Sequence, residues 1–116
     1  INDTWGHDVG DLVLKMIAQT LDKSMRSLDV ACRWGGEEFV VIVPNVTLEA
    51  LAVIGERLRM LVESSWIKHE NSLINVTASF GGTISKKSES PASVISRADK
   101  QVYLSKESGR NCVRLG

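Results

Sequence analysis

At 116 residues the chain has the length of one domain, enough to bury roughly two-thirds of its unfolded surface in one core. It is 43% hydrophobic with 24% charged residues spread along it, which excludes a disordered segment. Fourteen basic and fourteen acidic residues give zero formal charge, arguing against duplex DNA or an anionic membrane as a partner, and no apolar run approaches the roughly 20 residues of a membrane span.

Val9, Leu12, Val13, Met16, Ile17 and Leu21 recur at helical spacing and predict an amphipathic helix over residues 8–25. Residues 30–34 and 39–43 read as strands joined through Gly35-Gly36, since Gly-Gly tolerates the positive φ of a hairpin turn. Pro44-Asn45 ends the second strand. Thr47 then caps a helix whose buried stripe is Leu48, Leu51, Ala52, Leu58, Leu61 and Val62.

From Leu73 the period changes to two. Ile74, Val76, Ala78 and Phe80 alternate with polar residues and predict one strand, interrupted at Gly81-Gly82 and resumed at Thr83-Ile84. Ser90-Pro91 opens a third helix running to Glu107, Gly109 stops it, and residues 111–115 form a last short strand. The order α-ββ-α-β-α-β predicts an α+β sandwich, one sheet with helices packed against it. Cys32 and Cys112 are too few for a disulfide framework and lack metal-ligand spacing, so they read as free thiols in a reducing compartment. The chain begins Ile1-Asn2-Asp3 rather than with Met, and a piece of a longer protein is expected.

The sharpest feature is Arg33-Trp34-Gly35-Gly36-Glu37-Glu38-Phe39. Adjacent carboxylates at a hairpin tip repel each other, and a divalent cation bridging them to a substrate phosphate removes the conflict. The glycines leave room for a ligand close to the backbone. On the residues alone, this is either a metal-assisted phosphate site or a solvated acidic turn. Alternatives also stand for Asp11 (a helix-dipole carboxylate), Asn2 (a turn residue), His7 (a loop residue), Arg26 with Asp29 (an i,i+3 ion pair) and Lys106 with Arg110 (a basic helix end).

The pattern resembles the GGDEF family, the bacterial diguanylate cyclases. GGEEF is a variant spelling of the family signature, and three further segments accompany it in order. Ile1-Asn2-Asp3-Thr4-Trp5-Gly6-His7-Asp8-Val9-Gly10-Asp11 is similar to IND-x-x-GH-x-x-GD, and Arg26-Ser27-Leu28-Asp29 to the inhibitory RxxD motif. Ala98-Asp99 with Tyr103, Lys106, Gly109, Arg110 and Asn111 is similar to the closing AD-x-x-x-Y-x-x-K-x-x-GRN. The resemblance covers the whole chain, residues 1–116, as one domain.

It implies the nucleotide-cyclase-like sandwich, with a central, mainly antiparallel sheet flanked by helices. It implies condensation of two GTP into cyclic di-GMP with release of two pyrophosphates, by two domains facing each other as a homodimer. Asn2 and Asp11 match the guanine-reading pair, His7 a substrate contact, Gly35 and Gly36 the close backbone approach. Lys106 and Arg110, four apart so that they can share one face, match the cations on the terminal phosphates. Glu37 matches the catalytic proton acceptor and metal ligand, and Glu38 the second metal carboxylate for Mg²⁺, with Mn²⁺ as the alternative. Arg26 and Asp29 match the product-inhibition site for cyclic di-GMP, and Arg57 its secondary arginine, with Arg59 close by. A cytoplasmic domain is implied, regulated by an upstream sensor or receiver domain in a parent that membrane-tethering would not exclude, with no nucleic acid and no direct membrane contact of its own.

These residues depart from the family pattern in lacking its opening D-x-D-x-F-K strand, which is central in the sheet and carries an aspartate ligand and a phosphate-binding lysine. Two expectations follow: the metal site keeps only Glu37 and Glu38, too few ligands for tight Mg²⁺, and the sheet has an unfilled slot, so that this chain alone is expected to lack activity even if its parent is an active enzyme. The competing functions are a catalytically silent cyclic di-GMP receptor and a GTP-binding regulatory domain.

Overall fold

The computed structural model describes residues 7–25, 29–35 and 38–116, so the expectations on Asn2, Arg26, Gly36 and Glu37 lie outside the described residues. The elements are α1 (His7–Ser24), β1 (Val30–Gly35), β2 (Glu38–Ile42), α2 (Leu48–Glu63), β3 (Trp66–His69), β4 (Ser72–Asn75), β5 (Phe80–Gly82), α3 (Pro91–Glu107) and β6 (Val113–Leu115). This is an α+β chain, as expected. Among the described residues its strands form three two-stranded ladders, β1–β2, β3–β4 and β5–β6. The first two are antiparallel and the third is parallel. No helix among the described residues is long and apolar enough to cross a membrane.

The chain divides into two compact units, Ile1–Pro44 with Ser64–Val76 and Asn45–Glu63 with Thr77–Gly116. In the first, the apolar stripe of α1 does what its spacing requires. Val9 and Val13 are fully buried against Ile74 of β4, and Ile17, Ile67 and Val76 pack around them. In β1–β2, Val30 faces Ile42 and Arg33 faces Phe39, and a register shift between Arg33 and Gly35 precedes the Gly35–Glu38 pair.

The hairpin β3–β4 is absent from the sequence reading. Trp66 pairs with Asn75 and His69 with Ser72 across a turn at Glu70-Asn71, where Glu70 takes φ +55°. The single strand expected from Leu73 is thus two strands with different partners. Residues 76–79 leave the β4 ladder before β5 begins, and Thr83-Ile84 lies outside β5. The apolar–polar alternation of the sequence runs through the break, although in burial it ends at Ala78, with Ser79 half-buried like Phe80, so periodicity alone hides the change of partner.

In the second unit, Thr47 caps α2 by accepting the Ala50 N–H at 3.1 Å. The buried stripe is narrower than expected: Leu58 and Val62 are buried, Leu51 and Ala52 half-buried, but Leu48 and Leu61 are exposed. Leu61 is one residue, about 100° around the helix, from Val62 and so falls beyond the packed face. Ser90 caps α3 by accepting the Ser93 N–H at 3.2 Å, with Pro91 in the first turn.

Gly81 of β5 lies against the α3 backbone, where a Cβ would come within 2.5 Å of Ala98 O and 2.7 Å of Gln101 C. The interruption expected at this glycine is therefore a close approach of strand to helix. Gly109, at φ +107°, ends α3 in a Schellman motif, with Arg110 N–H on Ser105 O at 3.0 Å and Gly109 N–H on Lys106 O at 3.4 Å. Arg110 and Asn111 stay left-handed at φ +64° and +47°, which delays β6 to Val113.

Candidate nucleotide site

Asp11 sits in α1, and residues at i+3, i+4, i+7, i+8 and i+11 from it share its face of the helix. That face and the β1–β2 hairpin line an open cavity of about 650 Å³, within the roughly 300–1,000 Å³ of small-molecule sites. Leu14, Ala18 and Leu21 of α1, Ala31 of β1 and Phe39 of β2 supply its apolar walls; Asp11, Lys15, Gln19 and Asp22 supply its polar groups. An apolar slot with an edge carboxylate suits a flat heterocycle with N–H donors, because the ring faces bury apolar area while the carboxylate accepts. The Asp11 carboxylate has no side-chain partner among the described residues. The structure thus brings Asp11, from the first motif, and Phe39, from the second, to one cavity. Leu14, Lys15, Ala18, Gln19 and Asp22 were not singled out in the sequence; their helical spacing from Asp11 is the signal that finds them.

Glu38 is exposed at the start of β2, and its carboxylate too lacks a side-chain partner among the described residues. His7 is the first residue of α1 and Gly35 the last of β1. Asp29 is half-buried just before β1. Among the described residues no group of three or more His, Cys, Asp or Glu side chains could hold a metal ion. The donor chemistry of Glu38, an unpaired hard-oxygen ligand next in sequence to Glu37, fits a Mg²⁺-type cation in kind.

The second unit carries Lys106, Arg110 and Arg57. Lys106 and Arg110 are exposed, and neither side chain has a partner among the described residues. They do not share a helix face as expected: Lys106 is in the last turn of α3, whereas Arg110 lies beyond Gly109 in the left-handed segment. Both stand at the negative end of the α3 dipole, where cations are favoured and anions are drawn only by the cations themselves.

The two neighbouring arginines of α2 separate cleanly. Arg57 is exposed, while the Arg59 side chain is 15% exposed and committed to Glu56, Glu63 and Asn111. Its hydrogen bonds to Glu56 raise the Arg59 pKa and lower that of Glu56. A second clamp holds the loop before α3. Glu89 accepts from Arg97, from the Lys86 N–H and from the Ser93 hydroxyl. Those bonds, the Arg97 one foremost, bring its pKa down to about 2. Arg97 also donates to Thr83 Oγ1 and, at 2.7 Å, to the Ile84 carbonyl.

The family model for the diguanylate cyclase GGDEF domain matches residues 1–112. The chain belongs to the GGDEF family. Its GGDEF relatives include the response regulator PleD of Caulobacter vibrioides, 45% identical over 97% of this chain and 26% of PleD. The diguanylate cyclase SiaD of Pseudomonas aeruginosa, solved in complex with its activator SiaC, superposes with a TM-score of 0.96 at 36% identity. That match covers 100% of this chain and 45% of SiaD. The GGDEF domain of DgcB from Caulobacter crescentus, solved in complex with c-di-GMP, gives a TM-score of 0.91 at 38% identity, over 98% of this chain and 68% of that one. This chain therefore spans about a quarter of PleD and under half of SiaD.

Proposed function

We propose that residues 1–116 act as one GGDEF domain, the catalytic domain of a diguanylate cyclase. Two copies face each other, each holding one GTP. Each 3′-hydroxyl attacks the α-phosphorus of the other nucleotide, giving cyclic di-GMP and two pyrophosphates. The observation that carries this reading is the family match over residues 1–112 in a chain whose GGEEF sequence is intact.

In this reading Asn2 and Asp11 recognise guanine. The Asp11 carboxylate accepts from N1–H and N2–H₂, and the apolar walls beside it cover the ring faces. His7 contacts the substrate, Gly35 and Gly36 admit it close to the backbone, and Lys106 and Arg110 hold the terminal phosphates. Glu37 receives the proton of the attacking 3′-hydroxyl. Glu37 and Glu38 would hold a divalent cation, Mg²⁺ or Mn²⁺, which when bound supplies charge neutralisation at the phosphate. The work left to the chain is positioning: orienting the base, restraining the phosphates and taking one proton.

Product inhibition is assigned to Arg26, Asp29 and Arg57, where guanidinium and carboxylate groups can grip the phosphates and guanine edges of cyclic di-GMP. The exposure of Arg57, beside an Arg59 side chain that is largely buried, supports Arg57 as the arginine concerned. An upstream input domain and a cytoplasmic setting complete the proposal.

Calorimetry tests it. The protein binds GTP and cyclic di-GMP at separate sites, so Asp11→Ala abolishes GTP binding and spares cyclic di-GMP, while Arg26→Ala does the reverse. A folded wild-type protein that binds no GTP overturns the reading.

A further inference from the structure

We infer that Asn111, clamped between Arg59 and Glu63, is a positioning residue that presents Arg110 to the substrate phosphates; this rests on the proposed phosphate-holding role of Arg110. The argument starts from the backbone. A helix end needs one left-handed residue, and Gly109 supplies it without steric penalty. Two more follow, Arg110 at φ +64° and Asn111 at φ +47°, and both carry a Cβ. Asparagine enters this region more readily than most residues, but an arginine holds it only where its surroundings over-determine it.

The surroundings are on α2 and α3. The Arg110 N–H is fixed on the Ser105 carbonyl at 3.0 Å, and Ser105 is itself fully buried. The Asn111 side chain uses both ends: Oδ1 accepts from Arg59 Nη1 at 3.0 Å, and Nδ2 donates to Glu63 Oε2. Arg59 is held in turn by Glu56, on which its Nε lies at 2.9 Å. The guanidinium of Arg59 is thus spent on structure, whereas that of Arg110 is exposed with no partner among the described residues. One cation is invested in holding the strained segment, and the neighbouring residue is left with a free cation on a fixed backbone. That is the arrangement of a preorganised anion contact and its support.

The test is a double-mutant cycle in the intact protein, reading KM and kcat for GTP with Mg²⁺. Asn111→Ala is expected to raise KM about tenfold, as Arg110→Ala does, with kcat within about twofold. The double variant is expected to be no worse than Arg110→Ala alone, because Asn111 acts through Arg110. A clamp that merely stabilised the fold would show full additivity. Asn111→Gly, which keeps the left-handed backbone accessible but removes the tether, gives the same KM rise and serves if Asn111→Ala does not fold. Either folded variant with wild-type KM, or effects that multiply in full with Arg110→Ala, overturns the inference. Arg110→Ala with unchanged KM instead removes the phosphate-holding reading, and this inference with it.

Discussion

Replacing Gly81 by alanine sets one methyl group against the backbone of α3. Built on the present chain, that carbon would lie 2.5 Å from Ala98 O and 2.7 Å from Gln101 C, and closer still to Val102 N. Ordinary van der Waals contact begins near 3.4 Å, so β5 and α3 must part by about 1 Å, and every neighbouring contact loses dispersion energy. The obstacle is helix backbone, which cannot rotate away as a side chain would. The cost therefore belongs at the upper end of overpacking penalties, about 3 kcal/mol. For a domain of this size that is a fall in Tm of about 12 °C, at roughly 4 °C per kcal/mol. Thermal unfolding followed by circular dichroism, with urea titration for the free energy, measures it. Gly109→Ala is the internal comparison: nothing lies within 4 Å of its Cβ, and only the φ of +107° is strained, worth ~1–2 kcal/mol. A Gly81→Ala protein melting within about 2 °C of wild type, or a reversed order of the two variants, refutes the strand-on-helix packing.

The Glu89 carboxylate titrates near 2 against an ordinary 4.5. Its contribution is therefore complete above about pH 4.5 and lost as pH falls toward 2. Glu89→Gln should lower stability at pH 7 and flatten that acid limb, with the two proteins converging near pH 2; parallel urea-midpoint curves for wild type and variant would contradict this. Ile74→Ala, at the centre of the Val9–Val13 cluster, should cost about 3 kcal/mol by urea titration, and a loss under about 1 kcal/mol would mean that the site is not packed. Thr47→Ala removes the α2 cap and should cost about 1 kcal/mol, with Thr47→Ser restoring most of it.

Helix positions were legible because their signals are local. Thr47 and Ser90 carry caps, Pro91 sits in a first turn, Gly109 terminates α3, and Val9, Val13 and Leu21 recur at helical spacing. Strand partners were not, because pairing is non-local. The alternation from Leu73 to Phe80 is the same whether one ladder continues or two meet. Trp66–His69 is too short and too mixed, with Lys68 and His69, to stand out as a strand. The same division holds at the site. Asp11, Glu38, Lys106 and Arg110 are read from residue type and motif spacing. The lining of the cavity by Ala31 and Phe39, and the reach of Arg59 to Asn111 across 52 positions, exist only once the chain is folded. Arg57 matches the family position in the sequence with Arg59 close by, and the fold sets the two apart by burial, Arg57 exposed and the Arg59 side chain largely buried.

The most direct test of the cyclase reading is the product itself. The protein at its full natural length is incubated with GTP and Mg²⁺, and nucleotides are separated by chromatography and identified by mass spectrometry, with Glu37→Ala alongside. The account predicts cyclic di-GMP and pyrophosphate from the wild type and neither from the variant. A folded wild-type protein that binds GTP yet forms no cyclic di-GMP contradicts it and points to a receptor or regulatory role.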